Sequence, residues 1–159
     1  MTQIKRVTRL DAESQWAVSR GDLLFRDALY RNGFKTGESP TSPGGWRCYI
    51  TDIAKSAVIV KAWQALDAPK RDETFDCWAP VLNYEMRVGS PKLIVLMGDK
   101  TRSQFNRLRL AGRIPIEPPT VQVTHYAFRR QSAEGRAAYH REFDAVARIA
   151  ATLNKTPRS

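Results

Sequence analysis

Cysteine is scarce in this chain. The 159 residues contain two, Cys48 and Cys77, which form no CxxC pair, and only two histidines, His125 and His140. Neither a disulfide framework nor a zinc site is therefore expected, and both thiols read as free and partly buried, as in a reducing compartment. Acidic residues are also few: 16 Asp and Glu stand against 26 Lys and Arg, a net charge of +10. That deficit favours a polyanionic partner, with nucleic acid ahead of a membrane surface because the sequence has no basic block and no long amphipathic basic helix. Long apolar runs are missing as well, so no segment spans a bilayer. The first residues, Met1 to Arg6, carry charge with no apolar stretch behind them, unlike a secretory signal. No internal repeat occurs, and no Gly-rich loop joins a strand to a helix, which argues against a nucleotide-binding α/β protein. The expectation is a cytoplasmic, monomeric protein with no metal and no other cofactor.

What is present suffices for one domain: 42% of residues are hydrophobic, including four Trp. Residues 1–20 are weakly patterned and read as an arm, 21–153 as the domain and 154–159 as a tail. A helix starts at Gly21-Asp22, turns Leu23, Leu24, Ala28 and Leu29 to one face, and stops at Asn32-Gly33. Residues 35–47 are rich in breakers and predict a loop. Cys48 to Ile53 reads as a short buried strand, and helices are predicted over Ala54 to Leu66 and over Asp72 to Val88. In the second of these Phe75, Trp78, Leu82 and Met86 face inward, and Pro80 threatens a kink. Pro91 to Gly98 is an apolar strand ending in glycine, as central parallel strands do. Asp99 to Leu110 predicts a helix exposing Lys100, Arg102, Arg107 and Arg109. A final helix from Glu134 to Leu153 packs Tyr139, Phe143, Val146 and Leu153 inward. Strands separated by helices predict a three-layer α/β/α sandwich around a mainly parallel sheet. Ligands bind such sheets beyond the carboxyl ends of the strands. Asp52, Gly98 and His125 fall at such ends, so three loops are expected to converge on one rim.

The most informative stretch is Thr120-Val-Gln-Val-Thr-His125-Tyr-Ala-Phe128-Arg129-Arg130. An alternating strand delivers a histidine, followed by aromatics and two arginines. Such a histidine can hydrogen-bond a charge developing on a substrate. Arg129 and Arg130, with Lys100 and Arg102, can hold phosphates. The competing reading is a buried histidine capping a strand beside solvated arginines.

The order of segments resembles the uracil-DNA glycosylase superfamily, nearest its bacterial iron–sulfur branches. The resemblance rests on Gly21-Asp-Leu-Leu-Phe with Leu29-Tyr-Arg-Asn-Gly33-Phe, on Tyr49-Ile-Thr-Asp52-Ile-Ala-Lys55-Ser, on Cys77-Trp-Ala-Pro-Val-Leu with Pro91 to Gly98, and on Val123-Thr-His125. It covers roughly residues 20–150. It implies binding of single- or double-stranded DNA, flipping of a damaged or deaminated base, and hydrolysis of its N-glycosidic bond. His125 would stabilise charge on the departing base, and Asp52 would read that base. The departures are specific. The family's first strand, ending in a Gly-x-x-Pro-Gly loop that handles water, has no counterpart. Gly37-Glu38-Ser39-Pro40 imitates that loop in letters only, because it follows a helix and a polar turn. Cys77 matches one cluster ligand while Ser56 replaces another, and one thiolate cannot hold an iron–sulfur cluster. Tyr126-Ala127-Phe128 replaces Pro-Ser-Pro after the histidine.

Asp52 replaces the family's asparagine. An asparagine amide both donates and accepts, whereas an ionised aspartate only accepts. Uracil would then be read poorly, and a purine with two donors, such as guanine, read better. Asp52 could equally serve as the N-cap of the next helix. His140 reads as structural or solvated, and Trp46 and Tyr49 as core residues or stacking surfaces. Two functional classes remain: a divergent DNA glycosylase, or a non-catalytic DNA-binding module or truncated homologue.

Overall fold

The computed structural model describes residues 19–55, 60–115, 118–129 and 132–155, without the side chains of residues 60, 61, 128 and 129. Ser56, Arg130 and residues 1–18 therefore lie outside the described residues. The elements in chain order are helix α1 (Arg20–Arg31), α2 (Val60–Ala65), α3 (Ala68–Gly89), strand β1 (Ile94–Met97), α4 (Asp99–Leu110), β2 (Thr120–Val123), α5 (Tyr126–Arg129) and α6 (Ala133–Lys155). The protein is a mixed α/β structure whose two described strands pair in parallel, Ile94 opposite Thr120 and Met97 opposite Val123. The chain forms two compact units, one of residues up to 48 with 124–147, the other of 49–123 with the remainder of α6.

In the first unit, α1 begins with a reciprocal cap. The Ser19 hydroxyl accepts from Asp22 N–H, and the Asp22 carboxylate accepts from Ser19 N–H. Its buried face is Leu24, Phe25, Ala28 and Leu29, whereas Leu23, expected inward, is 40% exposed. Tyr139, Phe143 and Val146 of α6 are buried, as their spacing predicts. Phe25 meets Phe143 with ring centroids 5.9 Å apart.

The loop after α1 is organised by two buried cations. Arg26 is 1% exposed and donates to the carbonyls of Pro40, Thr41 and Ser42. Lys35, also 1% exposed, donates from Nζ to the carbonyls of Ser42 and Gly44, with the Trp46 ring 4.6 Å away. A single antiparallel bridge between Lys35 and Trp46 closes the loop. Gly45 is required there: its φ is +69°, and a Cβ would sit 2.1 Å from the Thr36 carbonyl oxygen.

In the second unit, α3 is capped by Asp67, which accepts from Lys70 N–H, and it runs 22 residues through Pro80 without interruption. Pro80 lies on the exposed side of the helix. Ala79, Leu82 and Met86 pack against Leu96, Phe105, Leu108 and Ile114 to form the core. Phe75 and Trp78 are only half-buried. Strand β1 passes directly into α4 through Gly98, whose φ of +89° lets the chain turn, and α4 has the predicted bounds.

Two expectations change here. Residues 48–55 form no strand. Tyr49 is 73% exposed, and this segment is held by side chains: Tyr49 Oη and Thr51 Oγ1 donate to the Glu85 carboxylate, and Lys55 Nζ pairs with it at 2.9 Å. Arg107, expected on an exposed basic face, instead ties α4 to α3. It reaches Asp76 at 2.9 Å, the Asp72 carbonyl at 3.1 Å and Gln104 Oε1 at 2.8 Å.

Candidate functional site

In the first unit, His125 stands two residues beyond β2, in the turn leading into α5. Two contacts fix this turn. The Glu142 carboxylate accepts from Thr124 N–H at 2.7 Å and from Thr124 Oγ1 at 2.9 Å. The Ala127 N–H donates to His125 Nδ1 at 3.2 Å. With Nδ1 accepting, the neutral ring carries its proton on Nε2. Burial holds the His125 pKa below its ordinary value of 6.5, so the ring is neutral at pH 7. A neutral imidazole with a defined Nε2–H is a hydrogen-bond donor suited to an oxygen that gains charge as a bond breaks.

Tyr126 packs against this ring at a tilt of 30°, with centroids 4.3 Å apart, and lies nearly parallel to Phe25, 5.8 Å away. Gly21 makes room for it, since a Cβ there would lie 2.6 Å from Tyr126 Cδ2. Glu142, Tyr126 and Gly21 are positioning residues that sequence reasoning missed. Gly21 and Tyr126 belong to stretches already singled out, but nothing in the sequence pairs them across about a hundred residues. The backbone of Arg129 ends α5.

In the second unit, Asp52 and Lys100 line one cavity of about 510 Å³, together with Trp63, Phe75 and Arg71. That volume is within the range of small-ligand sites. Trp63 meets Phe75 edge to face, with centroids 5.6 Å apart. Two carboxylates, Asp52 and Asp72, two cations, Arg71 and Lys100, and an aromatic wall thus share one space, which can hold a flat polar ring. Asp52 is exposed, and its carbonyl accepts from Lys55 Nζ. The N-cap alternative concerns residues 56–59, which lie outside the described residues. Arg102 does not line the cavity, although its neighbours Thr101 and Ser103 do, and it pairs loosely with Asp99 at 3.5 Å.

His140, expected to be structural or solvated, faces Asp27 across 3.3 Å. Trp46 belongs to the Lys35 loop, and Tyr49 to the Glu85 network. Cys48 donates to the Phe34 carbonyl, and burial pushes its thiol up to about 11, which makes it unreactive. Cys77, expected partly buried, is exposed on α3. Among the described residues no group of three or more His, Cys, Asp or Glu side chains is arranged to hold a metal. No helix among them is long and apolar enough to cross a membrane. Glu38 is exposed at the tip of the Lys35 loop. No protein-family model, curated protein or solved structure matches this chain, so the functional reading rests on its own residues.

Proposed function

We propose that this protein binds DNA in the manner of the uracil-DNA glycosylase superfamily and that the two described strands belong to a three-layer α/β/α sandwich of that kind. The observation that carries this reading is the tautomer of His125: a half-buried, neutral imidazole, fixed by the Ala127 amide so that Nε2 donates. In a glycosylase this donor stabilises the oxygen of the departing base while water attacks C1′ of the sugar. Within the second unit, the cavity lined by Asp52, Trp63, Phe75 and Lys100 offers an acceptor, an aromatic wall and a cation for contacts to a nucleotide. Lys100, Arg102, Arg129 and Arg130 bind the backbone, and the net charge of +10 supports a polyanionic partner.

A second reading, a DNA-binding module without catalysis, is favoured by Asp52 itself. A carboxylate cannot donate to uracil O4, and it sets negative charge against that oxygen. The deciding experiment incubates the protein with single- and double-stranded oligonucleotides containing uracil, hypoxanthine or xanthine, then cleaves abasic sites with alkali. Turnover abolished by His125→Ala establishes the enzyme. Binding without turnover on any of these substrates leaves the module. Failure to bind DNA at low salt removes both readings.

A further inference from the structure

One wall of the cavity in the second unit is made by Asp52, Ile53 and Ala54. Among the described residues no hydrogen bond or ion pair holds the Asp52 carboxylate itself, so its direction is set by its main chain. Three contacts fix that main chain. On one side Ile53 packs on the core that includes Leu82, Met86 and Phe105. On the other, Thr51 Oγ1 donates to Glu85 Oε2 at 3.2 Å. Between them, Lys55 Nζ donates to the Asp52 carbonyl. An ammonium has three N–H donors, and this one meets three acceptors: the Asp52 carbonyl, the Thr51 hydroxyl and Glu85 Oε2, the last at 2.9 Å. The side chains of Lys55 and Glu85 are 19% and 17% exposed, so water and salt screen the pair less than an ordinary surface pair.

We infer that Lys55 and Glu85 are positioning residues for Asp52: the ammonium, anchored on α3 through Glu85, holds the Asp52 carbonyl and so sets where its carboxylate meets a ligand. The inference rests on the reading of this cavity as a nucleotide contact. A lysine suits the task, because its donors radiate from one atom that three acceptors surround, whereas the planar guanidinium of arginine spreads its donors over three nitrogens. Tyr49 provides the contrast. Its hydroxyl donates to the same carboxylate, at 2.9 Å to Glu85 Oε1, but among the described residues it makes no bond to Asp52. A network that merely staples this segment to α3 depends on Tyr49 and Lys55 alike. One that positions Asp52 depends on Lys55.

The test reads two signals. The first is the amide resonance of Ile53, which shares a peptide group with the Asp52 carbonyl. The second is affinity for guanosine, whose N–H donors suit a carboxylate and which carries no charge for Lys55 to attract. Lys55→Met should move the Ile53 signal and weaken guanosine about tenfold, the contribution of one hydrogen bond to a charged group. Lys55→Arg keeps the charge and the pair with Glu85, so it should fold and give smaller changes of the same sign. Tyr49→Phe should lower the urea midpoint slightly and leave both signals at their wild-type values. Equal changes in Tyr49→Phe and Lys55→Met would mark a staple and overturn the inference, as would wild-type signals in both Lys55 variants. If the wild-type protein does not bind guanosine, the nucleotide reading of the cavity falls, and the Ile53 signal alone decides the positioning.

Discussion

Glu142 grips Thr124 with both carboxylate oxygens, one on the backbone N–H and one on the hydroxyl, and so sets the residue directly before His125. The contact joins positions 18 apart in sequence. Replacing Glu142 by alanine removes both acceptors at once. The expected loss is about 1–3 kcal/mol, because a half-buried N–H is left without its partner. Hydrogen exchange at the Thr124 amide should accelerate in Glu142→Ala and to a smaller extent in Glu142→Gln, which keeps one acceptor oxygen. Unchanged exchange in the alanine variant would show that the turn is held by other means.

Gly21→Ala sets two effects against each other. Alanine in a helix gains roughly 0.5–1 kcal/mol over glycine. Its Cβ, however, meets Tyr126 at 2.6 Å, and that ring is packed between Phe25 and His125. Overpacking of this kind costs about 1–3 kcal/mol, so net destabilisation is expected, with a shift of the His125 ring resonances. A more stable variant with unmoved His125 signals would refute the packing argument.

Tyr139 gives the opposite sign. It is fully buried, and among the described residues its hydroxyl finds no hydrogen-bond partner. Burial and the nearby Glu142 charge hold its pKa far above the ordinary tyrosine value. Tyr139→Phe removes the unpaired group and keeps the ring against Phe143, so stability should rise by about 1 kcal/mol. A lower urea midpoint for the phenylalanine variant would mean that the hydroxyl is paired in solution.

Acid should weaken the fold through both histidines. Burial lowers the folded-state pKa of His125, and burial followed by the Arg31 charge lowers that of His140. The unfolded chain titrates near 6.5, so below that pH it binds protons that the folded chain refuses. Stability then falls with pH until the folded-state values are reached. Urea midpoints should be lower at pH 5.5 than at pH 7.5, with a smaller difference in His125→Gln. Equal midpoints across this window would contradict the burial of both rings.

The parts of the fold legible in sequence are those set by near neighbours. Ile94 to Met97 is apolar throughout and stops at glycine, and Asp99 to Leu110 carries its acid first and its arginines last. Tyr49-Ile-Thr-Asp-Ile has the composition of a strand, yet a strand needs a neighbour to pair with. Its side-chain hydrogen bonds go instead to Glu85, more than thirty residues on, which no local pattern reveals. Arg26 and Arg107 likewise look like surface charges until their distant carbonyl and carboxylate partners are in place. Of the candidate site, His125 was visible through its place after an alternating strand. Its supports Glu142, Tyr126 and Gly21 were not, because each acts through a contact distant in sequence.

Among the described residues, Arg26 donates to the main-chain oxygens of Pro40, Thr41 and Ser42, and Lys35 to those of Ser42 and Gly44. What these bonds recognise is the path of the chain and not its lettering. A segment held this way can change its outward vocabulary at Glu38, Thr41 and Pro43 while keeping its shape, provided the two cations and Gly45 stay. The loop is thus a surface on which new specificity can be written without refolding what lies beneath it.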